Sequence, residues 1–367
     1  MIAAEAGDAI PSAGEDLAPE VSFVIVTCDR RELLAGCLES IAALDYPGDR
    51  VEIVVYDNGS RDGTRDWLAR ARRDVRVVAG TANAGFAAPN NRAADVAAGR
   101  LLCLVNNDVR VGPDFLRELV DARAATGAAC VGARVLSADG TAIEFDGGTM
   151  SFYGHAAPHR HGERADEPAA DAPPVPTLFA SGAAMLVDRA AFRSAGGFDE
   201  SYFAYFEDAD LGWRLWALGE RCVLAPRAGA RHAEHGSEAL LSPGRRIELL
   251  EQNALLTVYK NYEGERADRV FRCALALLAE RARLEPSRAA ACERGLAGAV
   301  ARLPFAEGRR RELAERRVRS DAEIAPLFLE PFRPAIAGEA YAERQREIAA
   351  LFDAADLFAG ERIGASA

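Results

Sequence analysis

The sequence predicts an α/β fold: a mostly parallel sheet with helices on both faces, followed by a helical region. Three observations predict it. Four short, apolar, β-rich runs fall within the first 105 residues, alternating with helical patterns. Such alternation marks a parallel sheet covered on both sides. Three of the runs end in polar turn residues that include a carboxylate: Asp29, Asp57 and Asp108. Past residue 263 strand-like runs cease and amphipathic helical spacing takes over.

Val21–Thr27 is the first strand. Asp29 and Glu32 stand three apart, which predicts a capping box opening a helix to about Ala43. Val51–Tyr56 is the second strand, closed by the turn Asp57-Asn-Gly-Ser60. A short helix near Thr64–Arg72 and a third strand, Val75–Val78, follow. Asn83–Asn91 reads as a loop entering a helix to about Ala98. Leu101–Val105 is the fourth strand, and Pro113 suits the first position of the next helix. From Tyr153 to Pro176 no period is visible, which predicts a long surface loop. Order returns at Thr177–Val187. Asp208–Leu218 reads as a helix stopped by Gly219, and Arg221–Ala225 as a late strand. Arg246–Tyr262 is a helix with Ile247, Leu250, Ala254 and Val258 on one face. Arg266–Leu284 carries a stripe of Val270, Phe271, Ala274, Leu277 and Leu278. The expected division is an acidic disordered tail over 1–20, a catalytic unit over 21–262 with halves meeting near 110, and a helical region over 263–367.

Composition narrows the function. At 367 residues, 49% hydrophobic and 27% charged, the chain is of ordinary globular make-up rather than disordered or fibrous. No run of about 18 apolar residues predicts a membrane span, and the acidic N-terminus is the reverse of a signal peptide. The expected compartment is the cytoplasm. Seven cysteines without a CxxC spacing fit reduced thiols. The net charge of −12 argues against a nucleic-acid binder. Residues 263–367 hold 18 Arg and 18 Asp plus Glu, so the whole −12 lies in 1–262. An acidic unit that binds an anionic substrate needs help, which points to a divalent cation, Mg²⁺ or Mn²⁺.

Ligands of open parallel sheets bind beyond the carboxyl ends of the strands, where Asp29, Asp57 and Asp108 are expected. Of these, Asp108 suits an oxygen-ligated cation. No GxGxxG, GxxxxGK[ST] or GxSxG motif is present, which weakens dinucleotide, P-loop and α/β-hydrolase readings. A second cluster runs from Tyr202 to Arg214, where an aromatic segment meets Glu207, Asp208 and Asp210 at a helix start. Carboxylates there meet the positive end of the helix dipole. An ionised acid beside aromatic walls suits a general base for a sugar hydroxyl. Asp210 and Arg214, four apart, read as a structural pair. His232 and His235 follow the late strand, and His232 is the favoured metal ligand. His159 and His161 read as solvated loop residues.

These residues resemble the family 2 glycosyltransferases, in particular the bacterial rhamnosyltransferase-like and galactofuranosyltransferase-like branch. The resemblance covers about 21–262. It is carried by VSFVIVTCDR, VVYDNGSRDGT, NAGFAAPNN, LVNNDV, SGAAMLVDRAAFRSAGGFDESYFAYFEDADLGWRL and HAEHGS, in the family's order. The resemblance implies a GT-A fold and inverting transfer from a nucleoside-diphosphate sugar (dTDP or UDP) to a glycan or lipid-linked hydroxyl. It implies that Thr27, Asp29 and Asp57 line the nucleoside pocket. Asn83, Gly85, Phe86 and Asn91 would follow the ribose and phosphates, with Asn107 and Asp108 at the DxD-type position and Ser181 and Gly182 at the sugar. Asp208 matches the catalytic base, Glu207 and Trp213 the acceptor side, and Asp108 with His232 the metal ligands. Cys28-Asp29 replaces the commoner Tyr-Asn, and Asn106-Asn107-Asp108 carries one carboxylate where a full DxD has two. A sugar-1-phosphate nucleotidyltransferase and a catalytically silent sugar-nucleotide scaffold are the competing readings. For the C-terminal region, with seven Arg against three Glu over 302–319, two readings stand. One is packing on the core or on a second subunit. The other is peripheral contact with the inner face of a membrane.

Overall fold

The computed structural model describes residues 19–232, 241–329 and 338–354. The expected disordered tail, apart from its last two residues, and His235 lie outside the described residues.

The first half alternates β1 (Val21–Thr27), α1 (Arg31–Ala42), β2 (Val51–Asp57), α2 (Thr64–Ala71), β3 (Val75–Ala79), α3 (Ala87–Val96) and β4 (Leu101–Val105). Next come β5 (Val109–Val111), α4 (Phe115–Thr126), β6 (Cys130–Leu136), β7 (Ile143–Phe145), β8 (Gly148–Ser151), β9 (Ala156–Pro158), β10 (Val175–Pro176) and β11 (Ala184–Asp188). Then follow α5 (Arg189–Ser194), α6 (Glu207–Ala217) and β12 (Cys222–His232). The remainder is α7 (Pro243–Asn261), α8 (Gly264–Leu284), α9 (Ala289–Arg316), α10 (Asp321–Ile324), β13 (Phe328–Leu329) and α11 (Gly338–Leu351).

The main sheet runs β10-β12-β6-β11-β4-β1-β2-β3. Strands β3, β2, β1 and β4 are parallel, as are β6 and β12, while β11 lies antiparallel between β4 and β6. Alternate residues of β1 serve opposite faces. Val21, Phe23 and Ile25 join Leu34, Leu38 and Ile41 of α1, whereas Val24 joins Ala93 and Ala94 of α3. The strand order reverses between β1 and β4, which opens a crevice at their carboxyl ends.

Several local expectations are corrected. No capping box starts α1: its N-cap is Arg30, in the left-handed region, without a side-chain bond. Asp29 is left-handed too, and its carboxylate accepts from Arg61 N instead. Helix α3 begins at Ala87 rather than after Asn91, because Pro89 is tolerated in a first turn. Helix α4 begins at Phe115, two residues beyond Pro113. The segment 153–176 is not all surface loop: it contributes β9 and β10, and His155 is buried. Strand β12 runs seven residues past Ala225. A bulge between Ala225 and Gly229 lets it resume pairing with β6 and then with β5, which sets His232 opposite Val109.

The C-terminal helices join the core of the sheet. Val270, Leu277, Leu313, Tyr341 and Ile348 belong to the same buried cluster as Phe23. Helix α7 is not the one-faced amphipath its spacing predicts. Glu251, Gln252, Asn253, Thr257, Lys260 and Asn261 are all buried on it, because neighbours cover it on more than one side. Among the described residues no helix is long and apolar enough to cross a membrane.

Candidate active site

A cleft of about 550 Å³ opens beyond the carboxyl ends of β1 and β4. One wall is Cys28, Asn58, Asn83, Gly85, Phe86 and Asn107; the other is Phe203 to Asp208, with His232 and Arg246 at the margin. A second concavity, of about 690 Å³, lies at the opposite ends of the strands. Its Arg50 and Arg100 pair with Glu20, and it holds none of the predicted site residues. The strand polarity of the fold favours the first.

The first of these walls is built by asparagine amides. Asn58, the residue after β2, donates to Asn83 Oδ1 (3.1 Å) and Gly85 O (2.9 Å) and accepts from Ala84 N (2.9 Å). It thereby folds the 83–85 loop over the crevice. Gly85 has φ +84°, and a Cβ there would fall 2.1 Å from Phe203 O. Phe86 N then donates to that same carbonyl (2.7 Å), joining the two walls. Gly182 is needed for a similar reason: a Cβ would meet the Phe86 ring at 2.9 Å.

Glu207 and Asp208 open α6. The Asp208 carboxylate accepts from Gly182 N (2.9 Å) and Ala209 N (2.8 Å). Burial raises its pKa, and those backbone N–H groups oppose the rise. Glu207 is pushed much higher, first by burial and then by the charge of Asp208. Its Oε2 is buried and finds no hydrogen-bond partner among the described residues. Of the two, Glu207 is held the more strongly toward its protonated form, and Asp208 keeps the backbone donors that favour its charge. An ionised carboxylate facing a cleft, within reach of a bound hydroxyl, is what proton abstraction requires.

His232 also lines the cleft: its Nε2 lies 3.1 Å from Asp108 Oδ1, and its Nδ1 lies 2.8 Å from Glu144 Oε2. Burial works against its charge, but the two carboxylates outweigh burial and lift the imidazole to about 10. The donor set fits a divalent cation: two donors about 3 Å apart match neighbouring ligands on an ion with bonds of about 2.1 Å. Without the ion the charged imidazole serves both carboxylates; a cation would replace the Nε2 proton, with Nδ1–H kept on Glu144. Among the described residues no group of three or more His, Cys, Asp or Glu side chains is arranged around a metal position. The rest of the coordination would come from substrate oxygens and water.

Several predicted residues sit elsewhere. Asp57 is fully buried, ion-paired with Arg65 (2.7 Å) and bonded to Ser60 N, so Asn58 lines the cleft in its place. Thr27 is buried, accepting from Asn107 Nδ2 and donating to Asp29 O. Asp29 braces residues 60 and 61. Asn91 closes the turn at Phe198, bonding to its N and O (both 2.9 Å), and does not face the cleft. Asp108 is buried and stands behind His232. Trp213 is fully buried against Tyr262 and Phe328, with ring centroids at 4.7 and 5.0 Å, and cannot touch an acceptor. Asn83, Gly85, Phe86, Asn107, Ser181, Gly182, Glu207, Asp208 and His232 do line the cleft. Sequence reasoning missed Asn58, Arg246 and Glu144. For Glu144 the only signal is its place between Ile143 and Phe145, an alternation that marks a strand with one polar face.

The family model described as glycosyl transferase family 2 matches residues 22–194. An uncharacterized protein, y4gI, of Sinorhizobium fredii is 32% identical over 60% of this chain and 25% of its own length. The O-antigen biosynthesis protein RfbC of Myxococcus xanthus is 31% identical over 60% of this chain and 18% of its own. The chain thus spans a quarter or less of these two relatives. The N-acetylglucosaminyl-diphospho-decaprenol L-rhamnosyltransferase of Mycobacterium tuberculosis is 30% identical over 52% of this chain and 70% of its own length. Among solved structures, the mannosyltransferase PcManGT of Pyrobaculum calidifontis, in complex with GDP-Man and Mn²⁺, aligns with a TM-score of 0.50 at 18% identity, covering 95% of this chain and 90% of that one. S. aureus TarS 1-349 aligns with a TM-score of 0.51 at 14% identity, covering 93% and 91%. The fold is GT-A, its cleft lies where the strand order reverses, and the chain belongs to glycosyl transferase family 2.

Proposed function

We propose that this chain is an inverting glycosyltransferase. It moves a sugar from a dTDP- or UDP-sugar to a hydroxyl of a glycan or lipid-linked acceptor in cell-surface polysaccharide synthesis. The observation that carries the reading is the Asp208 carboxylate, held by two backbone N–H groups in the same cleft that His232 lines with Asp108 bonded to it. The rhamnosyltransferase and O-antigen relatives support the substrate class.

Asp208 takes the proton of the acceptor hydroxyl as its oxygen attacks the anomeric carbon. The bond to the nucleoside diphosphate breaks on the opposite face, and the diphosphate leaves with the electron pair. Protonated Glu207 keeps a second negative charge away from the incoming oxygen. Asn58, by shaping the 83–85 loop, and Asn107 border the donor. Asp108 and His232 would hold a divalent cation, which neutralises charge on the departing diphosphate.

A thermal-shift screen of nucleotide sugars, with and without Mn²⁺ or Mg²⁺, tests the reading. At a hundredfold excess over Kd, a bound donor adds about 2.7 kcal/mol, a rise of several degrees in Tm. The rise should come from one donor and grow with the cation. No rise with any nucleotide sugar defeats the proposal.

The partner reading extends to helix α9. Ala297, Val300, Ala301, Pro304 and Phe305 fall on one face and are exposed, Val300 and Phe305 by about half. Arg309 stacks on Phe305, and Arg311 is 72% exposed. Apolar tips ringed by arginine fit an anionic bilayer. In vesicle sedimentation, wild type should pellet with anionic but not neutral lipid, and Val300→Ser/Phe305→Ser should stay in solution. Equal sedimentation of the two proteins, or self-association through this face, overturns the membrane reading.

A further inference from the structure

The helix that carries Glu207 and Asp208 is entered through an unusual turn. Tyr205 and Phe206 have φ of +71° and +68°, two consecutive left-handed residues of which neither is glycine. L-residues adopt that region at a cost, and it persists only where surroundings enforce it. Phe206 is the N-cap of α6 and makes no side-chain capping bond. What enforces the turn comes from α7, beyond the segment matched by the family model. Asn253 is fully buried there, and its Nδ2 donates to Ala204 O (2.9 Å) and Tyr205 O (2.7 Å). An amide nitrogen has two hydrogens, and here both are spent on consecutive carbonyls of one turn. The orientation of the amide is itself fixed, because Gln252 Nε2 donates to Asn253 Oδ1 (3.0 Å). A neighbouring residue of α7 works on the same turn from the other side. Glu251 bonds His155 Nε2 (3.0 Å), and the His155 ring packs edge-on against Phe206 with centroids 5.8 Å apart.

We propose that Asn253 is a positioning residue for transfer: it holds the left-handed Tyr205–Phe206 turn and thereby aims the Glu207–Asp208 pair into the cleft. Asn253 touches neither substrate nor the reacting atoms. Its effect travels through the backbone, since Phe206 O accepts from Asp210 N (2.9 Å) in the first turn of α6. Without the amide, carbonyls 204 and 205 lose their donors, and the turn relaxes toward φ values that redirect the first turn of the helix. The buried polar face of α7 thus has a reason to be polar. The proposal rests on the glycosyltransferase reading for its consequence, and on geometry alone for the clamp.

The test compares wild type, Asn253→Ala, Asn253→Ser and Thr257→Val. Thr257 is buried on the same helix; its hydroxyl bonds Tyr202 Oη and the main-chain carbonyl of Asn253, and touches neither the Asn253 amide nor carbonyls 204 and 205. Three readouts are taken: hydrogen exchange of amides 205–210, affinity for UDP and dTDP, and transfer turnover with the donor found in the screen. In Asn253→Ala, exchange at 205–210 should quicken at least tenfold and turnover fall at least thirtyfold, with nucleotide affinity within threefold. Asn253→Ser, which keeps one donor, should fall between, and it carries the test if the alanine variant does not fold. Thr257→Val should stay within threefold throughout. Unchanged exchange at 205–210, turnover within threefold, or an equal loss in Thr257→Val overturns the proposal. A wild-type protein that transfers nothing sinks the glycosyltransferase reading instead, and the exchange comparison alone then decides the clamp.

Discussion

Asp208→Asn should lower transfer turnover by about 10²–10⁴-fold, the usual weight of a positioned general base, while nucleotide affinity changes little. The asparagine keeps the shape of the side chain but has no basic oxygen pair. It also meets two backbone donors, Gly182 N and Ala209 N, with only one acceptor oxygen. Binding is spared because the donor wall hangs on Asn58, Asn83 and Gly85 rather than on α6. Loss confined to kcat, with Kd for UDP held, is the pattern of an interaction made in the transition state. Glu207→Gln is the informative partner. If Glu207 is protonated at neutral pH, the amide imitates it, and turnover should stay within about tenfold. The sign of the pH profile follows. Burial places the Asp208 pKa above its ordinary value, so the base protonates earlier on acidification, and the acid limb of kcat should lie above about 3.9, the free aspartate value. Asp208→Asn with turnover near wild type removes the assigned base. A Glu207→Gln variant as dead as Asp208→Asn reverses the two roles.

How much of this was legible beforehand depends on the kind of signal. Apolar runs marked β1 and β4 almost to the residue, because a strand buried on both faces admits few polar residues; β2 and the exposed edge strand β3 were marked by their β-branched valines. The place of Glu207 and Asp208 was legible for a different reason: acids opening a helix that is stopped by a glycine leave a local mark at both ends. Residues that act through tertiary partners left no mark. Trp213 sits beside the acids in sequence, yet six residues of helix leave it about 120° around the axis from Glu207, in the packing of Tyr262 and Phe328. The acids after β1 and β2 reached the expected strand ends, but Asp57 is spent on Arg65 and Asp29 on the 60–61 turn. Their neighbours Cys28 and Asn58 face the cleft instead. Nothing local distinguishes those outcomes. The extension of β12 to His232 depends on a bulge that is invisible without the sheet, and the alternation around Glu144 does not say which strand it pairs with.

The only lysine in the chain carries the second large expectation. Lys260 is buried, ion-paired with Asp199 and with Asp210 Oδ1 (2.9 Å), and its Nζ lies 4.4 Å from the Tyr202 ring centroid. Asp210 is held besides by Arg214 (2.8 Å). Lys260→Met should cost about 3–5 kcal/mol at pH 7, because it leaves buried carboxylates short of a countercharge. For a chain of this length that is a fall of roughly 4–7 °C in Tm. The pH dependence separates this cause from lost packing. In wild type, burial opposes ionisation of Asp199, but the Lys260 charge and the bonds from Ser201 outweigh it, and its pKa is depressed; Asp210 is depressed likewise by Arg214 and Lys260. Depressed carboxylates contribute stability that is full above their unfolded value, near 3.9, and lost as pH falls through the folded one. Without the lysine, burial dominates at Asp199, and a raised carboxylate costs stability as pH climbs past the unfolded value. The two effects have opposite signs, so the gap between wild type and variant should narrow steadily as pH falls from 7 toward 4. Urea midpoints measured for both proteins across that window decide the matter. A gap under about 1 kcal/mol, or one that does not change with pH, means that the buried charges are not what Lys260 stabilises. Because Asp210 lies in the first turn of α6, the same variant should also slow transfer before it unfolds, which ties the stability of the α7 seam to the aim of Asp208.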